Sequence, residues 1–328
     1  MSNMIINLIL LLVGFISLIK GADIFVKGSS DAAKNLKVPA VIIGLTIVAF
    51  GTSAPELAVS VSAALQGSNE ISVSNVVGSN IFNLLIVLGV CAMFQPLTVD
   101  RNFLKRDMPI SILITAITLI LCLIAGKVSI QELMVLSSGD EAGYVYRWVG
   151  IVLLIGFAIY LFILIKDAKK NPEIPDNSDY LPMWKSIALI IIGLVLVIFG
   201  GQVVVNSAKE IAKMAGMTET LIGLTIVAVG TSLPELVTSI VATKKGETGL
   251  AIGNVVGSNI FNILFILGVS GTLHPIAVNM ATIVDMIVLF AVSVITFIYS
   301  ITAQKIKRFE GLSMVLIYII YIAYAIAR

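Results

Sequence analysis

Ten stretches of about twenty mostly apolar residues follow one another along the chain, near residues 4–24, 39–65, 71–94, 108–126, 147–166, 184–206, 218–243, 250–273, 281–301 and 309–326. Each is long enough to cross a hydrocarbon core of about 30 Å as a helix. Charged residues, glycines and prolines gather in the gaps between them, as at 34–39 and 166–175. The pattern predicts an all-α membrane protein with ten transmembrane helices.

The pattern also repeats. A shift of 179 residues aligns 43–90 with 222–269 without a gap, and most of the paired residues are identical. GTSAPE at 51–56 returns as GTSLPE at 230–235, and SNVVGSNIFN at 74–83 returns as GNVVGSNIFN at 253–262. The expected division is a first five-helix repeat over 1–166, a cytoplasmic linker over 167–183 and a second five-helix repeat over 184–328. Five is odd, so the second copy enters the membrane from the opposite side and the repeats are inverted. The run at 4–24 is predicted as a membrane helix and not a signal peptide, because 21–38 has an internal counterpart at 200–217. The linker is shorter than the roughly 50 residues a folded domain needs.

Charge gives the orientation. With the N-terminus outside, most of the 21 lysines and arginines fall on the cytoplasmic side, among them Lys27, Lys34, Arg101, Lys105, Arg106, Lys244 and Lys245. Lys127, Arg147, Lys209, Lys213 and Arg328 fall outside. This bias predicts both termini outside, and the plasma membrane is the expected location. Composition agrees: 58% hydrophobic and 12% charged residues, against about 25% charged in soluble domains. A net charge of +2 gives no reason to expect a nucleic-acid partner. Cys91 and Cys122 lie in apolar runs as free thiols, and the single His274 has no companions for a metal cluster. No phosphate-binding glycine loop, nucleophile elbow or zinc signature is present, so neither enzymatic activity nor a cofactor is expected.

The doubled motifs carry the chemistry. Gly51 and Pro55 weaken a helix at one place, as do Gly230 and Pro234, predicting discontinuous helices 2 and 7 whose freed carbonyls line a polar cavity. Beside each break stands a glutamate, Glu56 or Glu235, with no basic residue nearby in its span. A charge at that depth costs about 2.5–3.5 kcal/mol and marks an ion path. Thr52, Ser53, Ser79, Asn80 and Asn83, with Thr231, Ser232, Ser258, Asn259 and Asn262, surround them with oxygen and amide groups. Oxygen donors suit hard cations such as Ca2+ and Na+. Thr46, Ser60, Ser62, Ser74 and Thr225 read as helix-packing residues, and Asp23, Lys27, Lys34 and Lys37 as solvated or interfacial charges. Glu70 and Glu247, at segment ends, are expected to matter little.

Both motif pairs resemble the paired alpha repeats of the sodium/calcium exchanger family, within the cation/calcium exchanger superfamily, and the likeness runs over nearly the whole chain. The resemblance implies a ten-helix antiporter in which helices 2, 3, 7 and 8 surround the ions while helices 1 and 6 slide across them. It implies that Glu56 and Glu235 hold Ca2+ together with the backbone carbonyls of Thr52 and Thr231. Ser53, Ser79, Ser232 and Ser258, with carbonyls near Ala49 and Ala228, match the family's Na+ positions, and Asn83 and Asn262 its remaining central pair. Some members, including the potassium-dependent branch, carry Asp where Asn262 stands. This chain therefore offers two formal charges and not three, so K+ is expected to be neither required nor cotransported.

The expected partners are Ca2+, Na+ and the lipid bilayer, with the chain working as a monomer. A Ca2+/H+ antiporter stays open as an alternative, because desolvated carboxylates bind protons. That branch carries a GN-x-x-E pattern where this chain has GTS-x-PE. A passive cation channel is a third reading, although channels build their path around an oligomer axis.

Overall fold

The computed structural model describes residues 2–126, 137, 139–170, 172, 180–216 and 228–327. Its helices are α1 (Ser2–Leu36), the pair α2 (Ala40–Thr52) and α3 (Ala54–Leu65), α4 (Ile71–Phe94), α5 (Arg101–Gly126), α6 (Arg147–Lys170), α7 (Met183–Met214), the short α8 (Ala228–Gly230), α9 (Leu233–Lys244), α10 (Thr248–Leu273), α11 (Met280–Ile301) and α12 (Arg308–Ala327). Among the described residues, 8 helices are long and apolar enough to cross a membrane, or 9 with the bent pair α2–α3 counted as one span. The protein is an all-helical, multi-pass membrane protein. The span expected at 218–243 begins outside the described residues and ends in α8 and α9.

Several helices outrun the apolar windows. α1 has 35 residues and α7 has 32, about 50 Å at 1.5 Å per residue, so Lys27 and Asp31 continue α1 beyond the expected end at 24. α6 runs through Lys170 into the expected linker, and α5 starts at Arg101 instead of 108. Asp100 explains the early start, since its carboxylate accepts from Asn102 N at 2.7 Å and Phe103 N at 3.1 Å as an N-cap. Its repeat mate Asn279 caps α11 by accepting from Thr282 N at 2.9 Å.

Two antiparallel ribbons fasten the ends of the bundle: β1 (Leu97–Thr98) pairs with β4 (Lys305–Ile306), and β2 (Glu141–Val145) with β3 (Ile276–Asn279). Both went unanticipated, because strands this short leave little period-two signal. Arg106, expected as a loop charge, instead pairs with the buried Asp107 at 2.9 Å and with Asp167, and Tyr160 donates to Asp107 at 3.1 Å. That network fixes α5 to α6.

The apolar windows of α4 and α10 are 78% and 94% buried, against 11% for α12, so the two motif-bearing helices form the centre. α1 and α7 cross along glycines. A methyl added at Gly193 would meet Phe25 N at 2.5 Å and Phe25 Cα at 2.7 Å, and one at Gly21 would meet Val197 N at 2.8 Å. Small residues let membrane helices pack backbone against backbone. Gly193→Ala is therefore expected to lower stability by about 1–3 kcal/mol, since backbone cannot step aside as a side chain can. Gly156→Ala, facing only Leu264 Cδ2 at 3.4 Å, is the near-neutral control. Thermal unfolding in detergent separates the two.

Candidate functional site

Ser53 interrupts the second membrane element: α2 and α3 meet there at a bend of 50°, and Pro55 sits in the first turn of α3. Proline is tolerated in a first turn because no backbone donor is needed there. Ser232 plays the same part ahead of α9, with Pro234 in the first turn and a backbone φ of −89° against −83° at Ser53. Wide π-type turns adjoin the site at Gly44–Val48, Asn83–Val87 and Asn262–Leu267, as turns of this kind often do at functional sites.

The two carboxylates are fully buried, each at 0% exposure. Ser232 Oγ donates to Glu56 Oε1 at 3.0 Å, and Ser53 Oγ donates to Glu235 Oε1 at 2.8 Å. The motif serines are thus exchanged: each repeat serves the other's glutamate. Ser79 and Ser258 add longer contacts of 3.5 Å to Glu56 and Glu235. The second oxygens, Glu56 Oε2 and Glu235 Oε2, have no hydrogen-bond partner, and neither do Asn83 Oδ1, Asn262 Oδ1 and Thr231 Oγ1. Among the described residues, no lysine or arginine pairs with either carboxylate.

Four asparagines join α4 to α10. Asn80 Nδ2 donates to the Asn259 carbonyl at 3.1 Å and Asn259 Nδ2 to the Asn80 carbonyl at 3.2 Å. Asn262 Nδ2 donates to Asn80 Oδ1 at 2.9 Å, and Asn83 Nδ2 to Asn259 Oδ1 at 3.2 Å. The lock spends the amide groups of Asn83 and Asn262 and leaves their oxygens without donors. Asn75 and Asn254 donate to the carbonyls of Glu56 and Glu235 at 3.3 and 3.5 Å, and to Ser60 and Ser239 at 2.9 Å each. Sequence reasoning assigned no role to Asn75 or Asn254, and counted Asn80 and Asn259 only among the polar groups. Their shared 179-residue spacing was the available signal.

The remaining expected residues divide. Thr52 Oγ1 bonds within its own turn to Val48 O at 3.1 Å and across to Asn254 Oδ1 at 3.0 Å. The Ala49 carbonyl accepts from Ser53 N at 3.0 Å. Ala228 lies in α8, before the second break. Ser74 meets Thr282 at 3.3 Å, in keeping with packing, whereas Thr225 lies outside the described residues.

Two buried carboxyl groups plus acceptor oxygens without donors form a site that a cation would complete and a donor-poor interior would not. Among the described residues there is no cluster of three or more His, Cys, Asp or Glu, so neutral oxygens would have to supply the rest of a coordination shell.

The family model described as sodium/calcium exchanger protein matches residues 6–166 and 185–327. The putative antiporter CaxA of Alkalimonas amylolytica is 37% identical over 332 residues, covering 98% of both chains. The sodium/calcium exchanger MaX1 of Methanosarcina acetivorans is 34% identical over 344 residues, covering 97% of both. The solved structure of the sodium-calcium exchanger NCX_Mj, soaked with 10 mM Na+ and zero Ca2+, superposes with a TM-score of 0.82 at 34% identity, covering 98% of this chain and 99% of that one.

Proposed function

The chain belongs to the sodium/calcium exchanger protein family, and we propose that it is a secondary antiporter exchanging Na+ for Ca2+ by alternating access. The observation that carries this reading is the buried pair Glu56 and Glu235, each holding one oxygen that accepts no hydrogen bond. One Ca2+ balances both charges. Several Na+ balance them equally, using Ser53, Ser79, Ser232 and Ser258, the carbonyls of Ala49, Ala228, Thr52 and Thr231, and the oxygens of Asn83 and Asn262. An empty cavity keeps two uncompensated charges, which opposes closing it away from water. Loaded states alone then cross, and the two gradients are coupled.

In this reading the chain forms ten helices in two inverted repeats, 1–166 and 184–328 about the 167–183 linker, with α1 and α7 moving across the site. Both termini face outside at the plasma membrane, and one chain suffices. The recurrence of bonds between residues 179 apart, as at Asn80 and Asn259, supports the repeat. Asn262, neutral where a third carboxylate would favour a further monovalent ion, supports independence from K+.

The test is radiolabelled Ca2+ uptake into proteoliposomes. An outward Na+ gradient is expected to drive uptake, a pH gradient alone is not, and replacing K+ with choline leaves the rate unchanged. Uptake driven only by the pH gradient would make the protein a Ca2+/H+ antiporter, and a current far above carrier turnover would make it a channel. Loss of uptake without K+ would end the two-charge argument.

A further inference from the structure

Residues 179 apart should sit in like surroundings if the halves are equivalent, and where α1 and α7 flank the breaks they do not. Beside the second break a cavity of about 180 Å³ is lined by Pro55, Ala58, Gly201, Gln202, Lys209 and Thr231. Ala58 and Gln202 are exposed there, and Thr231 Oγ1 has no partner. Pro234, Val237, Ser30 and Thr52, the mates of Pro55, Ala58, Lys209 and Thr231, are more buried than their counterparts, whereas Gln202 and its mate Asp23 are both exposed. Val237, mate of the exposed Ala58, packs against the Leu18–Ala22 cluster. Thr52, mate of Thr231, has its hydroxyl bonded.

Two residue pairs fasten the closed side. Lys245 Nζ lies 2.7 Å from Asp23 Oδ1 and donates to the Asp23 carbonyl at 2.8 Å. Ser30 Oγ donates to Glu247 Oε1 at 2.5 Å. Both join α1 to the turn after α9. The mates of these four residues are Gln202, Gln66, Lys209 and Ser68. They include no carboxylate, so the same fastening has no chemical counterpart on the cavity side. Gln202 instead bonds Asn206 on its own helix at 3.1 Å, and Gln66 bonds Ser62 at 3.0 Å.

We propose that Asp23, Ser30, Lys245 and Glu247 are positioning residues of the exchange cycle: a clasp that holds one access route shut while the route lined by Ala58 and Thr231 stands open. Glu247, expected to matter little, becomes one of its four members. Lys245 and Asp23 keep 33% and 55% of their side-chain exposure, so water and salt screen the pair and it releases within each cycle. On the proposed orientation the clasp is cytoplasmic, beside Lys27, Lys34 and Lys244, and the open route faces outside. This inference rests on the antiporter reading for its purpose and not for its test.

Labelling with a membrane-impermeant maleimide reads the two routes in detergent without any ion gradient. Cys91 and Cys122 are buried and stay silent, Ala58→Cys reports the open route, and Val237→Cys reports its mate. In the otherwise native chain Ala58→Cys reacts faster. Adding Lys245→Gln with Ser30→Ala is expected to raise the Val237→Cys rate at least about tenfold while the Ala58→Cys rate falls, the shift expected on losing an exposed ion pair and a hydrogen bond to a charged group. Unchanged rates overturn the proposal, and so does a rise in both, which would signal general loosening. Opposite shifts in a protein that fails Na+-driven uptake would keep the clasp and reject the exchanged ions.

Discussion

Glu56→Gln or Glu235→Gln abolishes Ca2+ transport, by at least about 100-fold, and leaves the protein folded. The amide keeps the shape of the side chain and an oxygen to accept from Ser232 or Ser53, which donate at 3.0 and 2.8 Å. The charge goes, and the second oxygen becomes an amide nitrogen that cannot coordinate a cation. Removing one partner of a buried charged contact costs about 3–5 kcal/mol, and every 1.4 kcal/mol is tenfold in affinity. The apo protein should be no less stable than the native chain, because a buried carboxylate oxygen with no partner is a burden until an ion arrives. Added Ca2+ should raise the thermal midpoint of the native chain and not of either variant, since a ligand stabilises only the state that binds it. Radiolabelled uptake alongside thermal unfolding with and without Ca2+ checks both halves, and normal flux in either variant would contradict the site.

The second large effect is structural. Asn259→Ala is expected to cost about 2–4 kcal/mol, more than Asn83→Ala. Asn259 gives one bond to the Asn80 carbonyl, which also accepts from Asn83 N, and takes one from Asn83 Nδ2, so its loss strands the buried Asn83 amide at roughly 1–3 kcal/mol and removes a second buried bond worth about 1 kcal/mol. Asn83 gives one bond, and its own oxygen has no partner to lose. The order of thermal midpoints, Asn259→Ala below Asn83→Ala, is the measurement, while Ca2+ uptake should fall in both.

Much of this was legible in the sequence because it depends on local chemistry. Pro55 and Pro234 had to break helices, a lone glutamate in twenty apolar residues had to face a polar interior, and the duplicated block announced matched contacts such as those of Asn80 and Asn259. What stayed hidden depends on how the halves meet. That Ser53 serves Glu235 and Ser232 serves Glu56 follows from crossing elements far apart in the chain, which no spacing records. The amide lock was similarly invisible: Asn80 and Asn83 look equivalent on one helix face, and only the opposing helix makes one a fastener and frees the oxygen of the other. Helix ends were misjudged for a simpler reason. Apolar windows measure the bilayer, whereas α1 and α7 continue past it on intrahelical bonds and pairs such as Lys27 with Asp31 at 3.0 Å.

The glycine contact of α1 with α7 has a mechanical meaning. Interlocked side chains would act like gear teeth and resist travel, but between these rods the backbones of Gly193 and Phe25 touch directly. The rods are therefore best regarded as a single beam, stiff across its width and smooth along its flanks. Such a beam would move as one piece, so displacing one end would carry the other with it.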